Sequence, residues 1–242
     1  MNITISPQSK ILLAASVLVL AGLAGPANVQ AAGTAATNDK APANQPYLAS
    51  DTVQQVNEAK AVVERMTSDP AIKSLLQKAK GVFIVPTYGR GAWGLGVRGG
   101  EGVMLTHSGN KWSNPVFYNM GGVSIGLQGG IEAGSLAMLL MSDKAVNQFM
   151  TDNNFSLTAD AGLTIVNYTA KAQADLGKGD VIVWADTKGA FANASIGISD
   201  IHRDESDTKA FYKRTATAKE IVGGSVTSSQ AEGLKQALPT GK

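Results

Sequence analysis

The sequence predicts an α+β protein: a glycine-rich, mainly antiparallel sheet, curved or barrel-like, with helices at the N- and C-terminal ends of the domain. Three features carry that expectation. Apolar residues recur at helical spacing before Gly81 and in the region after Asp207. Between these regions the period becomes two, and bulky residues alternate with glycine. No proline interrupts residues 116–238, which suits a continuous antiparallel meander.

The first 49 residues are assigned outside the fold. Residues 1–31 read as a signal peptide: Lys10 is its only charged side chain, Ile11 to Ala24 is a 14-residue apolar run, and Gly25-Pro26 breaks it. Val29-Gln30-Ala31 then places small residues ahead of a cleavage point. A membrane-spanning helix needs roughly 20 apolar residues, more than this run supplies. Residues 32–49 are small and polar, with Pro42 and Pro46, and read as a disordered linker. The expected location is therefore the periplasm, the cell envelope or the medium.

The folded domain is expected over residues 50–242. Ser50-Asp51 is a cap pair, Asp51 and Gln54 resemble a capping box, and Val53, Val56, Ala59, Val63 and Met66 mark a helix over 51–67. Asp69-Pro70 opens a second helix, with Ile72, Leu75, Leu76 and Ala79 on one face, ended by Gly81. Gly81 to Pro86 is a short buried strand, Trp93 to Thr106 alternates with glycine, His107 to Asn110 is a turn, and Trp112 to Gln128 is extended again. Fifteen of the 27 glycines fall between 81 and 134. Glycine at alternate strand positions strips one face, so that another backbone or a flat ligand approaches closely. Ile131 to Met141 is an apolar strand and Asp143 to Thr151 a helix capped by Ser142. Phe155–Tyr168, Asp180–Ala185 and Ala190–Ile201 read as strands. A helix near Asp207–Arg214 and a loosely amphipathic tail, Ser228–Leu238, complete the chain.

Composition removes several function classes. With 44% hydrophobic and 17% charged residues the chain is not intrinsically disordered. With no cysteine it has no disulfide scaffold, thiolate metal site, cysteine protease nucleophile or lipoprotein anchor. Gly89-Arg-Gly-Ala-Trp-Gly94 matches a dinucleotide fingerprint, but Leu-Gly-Val-Arg-Gly-Gly follows instead of a helix. Gly122-Val-Ser124-Ile-Gly126 matches a nucleophile elbow, again without the helix it requires. Asp200, His202 and Asp204 alternate on one strand and can be read either as metal ligands or as a solvated strand end. Glu101 and Glu132 form a conceivable carboxylate pair whose default role is structural.

Charge is unevenly spread. Residues 60–98 hold seven basic and two acidic side chains, residues 143–207 five basic and ten acidic, and residues 209–242 six basic and two acidic. Lys60, Arg65, Lys73, Lys78, Lys80, Arg90 and Arg98, with the aromatic Tyr88 and Trp93, form the candidate lipid-binding set, since each cation near an anionic surface contributes about 1 kcal/mol. An exported protein seldom meets nucleic acid, and no metal or other cofactor is expected.

From about Ala59 to Lys213 the chain resembles the SYLF domain family. The resemblance rests on Ala79-Lys-Gly-Val-Phe-Ile-Val-Pro86, the glycine-rich Gly91–Leu105 and Trp112-Ser-Asn-Pro-Val-Phe-Tyr118. It continues through Gly121-Gly-Val-Ser-Ile-Gly-Leu-Gln-Gly-Gly130 and Leu139-Leu-Met-Ser-Asp-Lys-Ala145 to Phe149. It implies a non-enzymatic lipid-binding module. Eukaryotic members bind phosphoinositides, helped by an amphipathic N-terminal segment, and some yeast members bind actin, a role not carried over to an exported chain. The matching segment here, Asp51 to Arg65, has only two basic residues. The leading expectation is an envelope protein binding anionic phospholipid through its basic N-terminal edge and glycine-rich sheet. The alternatives are a structural or interaction protein of the envelope, with self-association through the sheet, a hydrolase using Ser124, and an outer-membrane barrel.

Overall fold

The computed structural model describes residues 45–90, 98–121, 123–125, 133–151, 154–168, 179–186 and 196–241. All belong to one compact unit, Lys40–Lys242. Helix α1 (Gln45–Thr67) starts ahead of the expected Asp51. Pro46 falls in the first turn, where its missing N–H is not needed, so the helix extends back through the end of the segment read as linker. Asp51 is consequently a residue of the helix face and no cap. Its buried stripe is Val56, Ala59, Val62, Val63 and Met66. Helix α2 (Pro70–Lys78) is capped as expected, Asp69 accepting from the Ala71 amide.

The sheet is mostly antiparallel and curls into a half-barrel. Its strands are β1 (Gly81–Arg90), β2 (Arg98–Ser108), β3 (Lys111–Trp112), β4 (Val116–Met120), β5 (Val123–Ile125), β6 (Ala133–Leu140), β7 (Asn154–Leu157), β8 (Ile165–Asn167), β9 (Val181–Ala185) and β10 (Ile196–Arg203). Helix α3 (Asp143–Thr151) connects β6 to β7. The order along the sheet is β5-β10-β4-β2-β1-β6-β9-β8, with β3 beside β2 and β7 beside β10. The expected meander is thus corrected. β10 inserts between β5 and β4, and β8 pairs with β9 in parallel.

Burial explains the place of β1. Val82, Phe83, Ile84 and Val85 are all fully buried, so β1 has both faces covered and takes an interior position between β2 and β6. The expected single strand Phe155–Tyr168 is two strands. Thr158 Oγ1 accepts from the Ala161 amide and Gly162 adopts φ +71°, turning the chain between β7 and β8.

The glycines of β2 do what alternation implied, with one correction. A Cβ at Gly102 would lie 2.6 Å from the Phe83 ring and 2.7 Å from the Ile84 carbonyl oxygen, and one at Gly100 2.5 Å from Val85. At these two positions the stripped face receives the protein's own β1, not a ligand. Phe83 continues into an aromatic cluster with Tyr118, Phe149 and Phe155, and Tyr118 donates to the Phe149 carbonyl.

The C-terminal region holds α4 (Glu205–Tyr212), α5 (Ala218–Val222), a 3-10 turn (Ser229–Ala231) and α6 (Glu232–Ala237). Helix α5 was missed by periodicity, being too short to show one. Its signal was the Thr217-Ala-Lys-Glu220 capping box, which the structure forms reciprocally. The tail docks: Trp112 Nε1 donates to Pro239 and Gln77 to Thr240, while Asn114 donates to Val226.

Candidate functional site

Two cavities lie along the β1–β2 hairpin. The first, of about 350 Å³, sits between α1 and the bend of β1. Register slips between Ile84 and Thr87, where Pro86 cannot donate to the ladder, and Val85 and Pro86 stand out of regular pairing with β2. α1 covers this bulge with Asp51, Gln54, Gln55 and Glu58, and β2 adds Gly100 and Glu101. Gln54 donates to Glu58 at 2.8 Å. Gln55 is 8% exposed, and its amide nitrogen has no hydrogen-bond partner.

The field in this cavity is negative. Burial, then Asp204 and Asp51, hold the Glu101 carboxyl above the usual carboxylate range. Asp207, in the first turn of α4, is pushed up to about 7 by burial and by Asp204, Glu101 and Asp51. Asp204 remains fixed in this group because it caps α4, accepting from the Asp207 amide at 2.8 Å and from Asn119 Nδ2 at 2.7 Å. Sequence patterning missed this assembly, whose members lie on α1, β2 and α4. Charge in each segment was visible, but their convergence was not.

The second cavity, of about 370 Å³, lies at the start of β1. It is lined by Lys80, Thr106, His107, Ser108, Gly109 and Asp143, with the half-buried apolar side chains Val146, Met150 and Val222. Lys80 Nζ is 3.7 Å from Asp143, a loose and exposed pair. His107 was expected on a surface turn. Instead it ends β2, stacks on Trp112 at 4.4 Å, and donates through Nδ1 to the Ala79 carbonyl at 3.1 Å. The carbonyl can only accept, so Nδ1 carries the proton of this bond, and Nε2 is buried without a hydrogen-bond partner.

The candidate lipid-binding residues are dispersed. Lys73 and Lys78 are exposed on α2 and form no ion pair among the described residues. Lys60 pairs with Glu64 one turn on, and Arg65 with Asp186 at 2.9 Å and Ser135 at 2.8 Å. Tyr88 is 2% exposed and belongs to the core, not to a surface aromatic pair. Arg90 and Arg98 face each other in the β1–β2 register, while Trp93 lies outside the described residues.

The remaining motifs separate as well. Ser124 lies inside β5, paired with Gly197, and the residues after Ile125 lie outside the described residues, as does Glu132. Strand β10 slips register between Ile198 and Ile201 and Asp200 takes φ +60°; His202 Nδ1 still lies 4.0 Å from Asp200 Oδ1, while Asp204 leaves the strand to cap α4. Among the described residues no group of three or more such side chains is placed to hold a metal.

A family model described as Ysc84, Las17-binding protein actin regulator, matches residues 121–240, from the turn before β5 to the C-terminal docking segment. The SH3 domain-containing YSC84-like protein 1 of Bos taurus is 27% identical over 83% of this chain, and that of Homo sapiens 26%. Protein YSC84 of Saccharomyces cerevisiae is 29% identical over 63% of this chain. The chain spans 60% of the length of those two mammalian relatives and 34% of the yeast protein. The chain belongs to the Ysc84 family, whose shared module is the SYLF domain.

Proposed function

We propose that this SYLF domain works by binding rather than catalysis, in an exported protein that engages anionic phospholipid at the Lys80–His107 cavity. One observation carries the reading: a single cavity joins a loosely paired ammonium, Lys80, to an apolar wall of Val146, Met150 and Val222. That is the complement of an amphiphile, an anionic headgroup beside methylene chains. Lys73 and Lys78, exposed on the adjoining helix, add attraction of about 1 kcal/mol each at an anionic surface. The apolar surface comes from α3 and α5 in this reading, because the glycines at 100 and 102 are covered from within.

Sedimentation with vesicles of phosphatidylcholine alone, and with phosphatidylglycerol added, tests the reading at low and high salt. Binding should require the anionic lipid, weaken with salt and fall in the Lys73→Gln, Lys78→Gln, Lys80→Gln variant. Equal absence of binding in every condition refutes it. Mass spectrometry of an organic extract of the purified protein would identify lipid carried in the cavity.

A second reading is protein interaction. It is favoured by the yeast relative named LAS seventeen-binding protein 3, which is 30% identical over 63% of this chain. Light scattering together with a lipid-free result in sedimentation would favour this reading.

A further inference from the structure

The cavity beneath α1 is the wrong environment for an anionic headgroup. Its lining offers Asp51, Glu58 and Glu101 and, among the described residues, no lysine or arginine. Asp204 adds negative charge from the adjoining N-cap of α4. Asp51, Gln54, Gln55 and Glu58 follow the i, i+3, i+4, i+7 spacing of one polar face of α1, on which Asp51, Gln54 and Glu58 are exposed and Gln55 alone is buried.

The observation that points to a ligand is Gln55. Its side chain is more than nine-tenths buried, lines the cavity, and carries an amide nitrogen with no partner. A buried amide left unpaired costs stability unless something occupies the space beside it. Rotation of the amide exchanges its nitrogen for its oxygen, so the same position can present an acceptor to a donor in the cavity.

We propose that this cavity binds a linear polyamine, an aliphatic chain carrying two or more ammonium groups. The charges are spread rather than focused. Asp51 and Glu58 are two turns apart on α1, roughly 10 Å along its axis, and Glu101 faces them from β2. No three of these groups close around one point to ligate a metal ion. Separated carboxylates match separated ammonium groups, each with three donors, and Pro86 and Gly100 offer a floor without polar side chains to the methylenes between them. The volume of about 350 Å³ falls within the range of small-molecule sites. Burial, and then repulsion from Asp204 and Asp51, disfavours the charged form of Glu101, and an ammonium entering the cavity offsets both.

Calorimetric titration of the full chain with spermidine tests the proposal. The expected result is one site per chain, weakened about tenfold in Glu58→Gln and in Glu101→Gln, with putrescine binding less tightly and equimolar Mg²⁺ failing to compete. Both residues are exposed, and thermal unfolding of the variants checks that they fold. Gln55→Met keeps the fill and removes the amide: weaker spermidine binding with undiminished thermal stability is expected. Loss of stability with unchanged binding would mark Gln55 as merely structural and overturn its role. No spermidine binding, equal binding in all variants, displacement by Mg²⁺ at equal concentration, or binding of a tetralysine peptide but not spermidine would each overturn the proposal. Binding to anionic vesicles should persist in Glu101→Gln, so this site and the Lys80–His107 reading fail separately.

Discussion

The two cavities along the β1–β2 hairpin are close in size and opposite in chemistry. Near the start of β1, Lys80 and His107 meet an apolar wall from α3 and α5. At the bulge of β1, acidic residues from α1 and β2 meet glutamine amides and a proline. The same pair of strands supports both because it is covered by different helices at different points. A near-neutral chain can therefore hold an acidic cavity and one where a lysine–aspartate pair meets apolar groups, and its net charge of +2 describes neither.

The strongest way to break the comparison is to disturb the strand pair that carries both cavities. Gly102→Val should destabilise the protein by about 3 kcal/mol, because the added carbons collide with the Phe83 ring and the Ile84 carbonyl. Urea unfolding would measure it, and both sites should be weakened together.

The acidic side is next. Asp207 has a native pKa raised to about 7, above its ordinary 3.8, so the folded protein holds a proton that the unfolded chain releases between those values. Stability should accordingly fall as pH rises from about 4 to 7, and Asp207→Asn should remove that fall. At pH 8 the variant is expected to be more stable by on the order of 2 kcal/mol, and near pH 4 the two should be alike. Urea unfolding at both pH values checks the sign. A variant less stable at pH 8 would show that Asp207 is held by attraction instead.

Smaller effects sharpen the other side. Lys73→Gln with Lys78→Gln should leave stability within about 0.5 kcal/mol of the parent, since both side chains are exposed. The same variant should lose about 1 kcal/mol of anionic vesicle binding per lysine. The smallest change is Lys60→Gln. Its partner Glu64 is also exposed, so a loss within about 0.5 kcal/mol and unchanged binding at both cavities are expected.

Much of the architecture was legible in the chain. Asp69-Pro70 announced α2 through a cap and a permitted first-turn proline, and Asp143–Thr151 formed where its spacing placed it. The glycines at 100 and 102 correctly signalled a close approach. What covered them was decided by β1, a strand buried on both faces that needed neighbours on both sides. Periodicity also failed at Thr158–Gly162, where a side-chain turn and a positive φ broke one apparent strand into two distant ones. For the site, Lys80 was legible as part of a basic segment. His107 was not, because its stacking on Trp112 and its bond to Ala79 join residues from separate parts of the chain.

The sequence alone determined the α+β class, the basic α2 edge, the family resemblance and the concentration of glycine in the sheet, since each is written in local order and spacing. Only the tertiary structure decided the insertion of β10, the burial of Tyr88 and the meeting of Asp51, Glu101, Asp204 and Asp207. The physical reason is that charge interacts through space. Folding desolvates Glu101 and Asp207 and brings Asp51 and Asp204, distant in sequence, close enough to raise both carboxyls further.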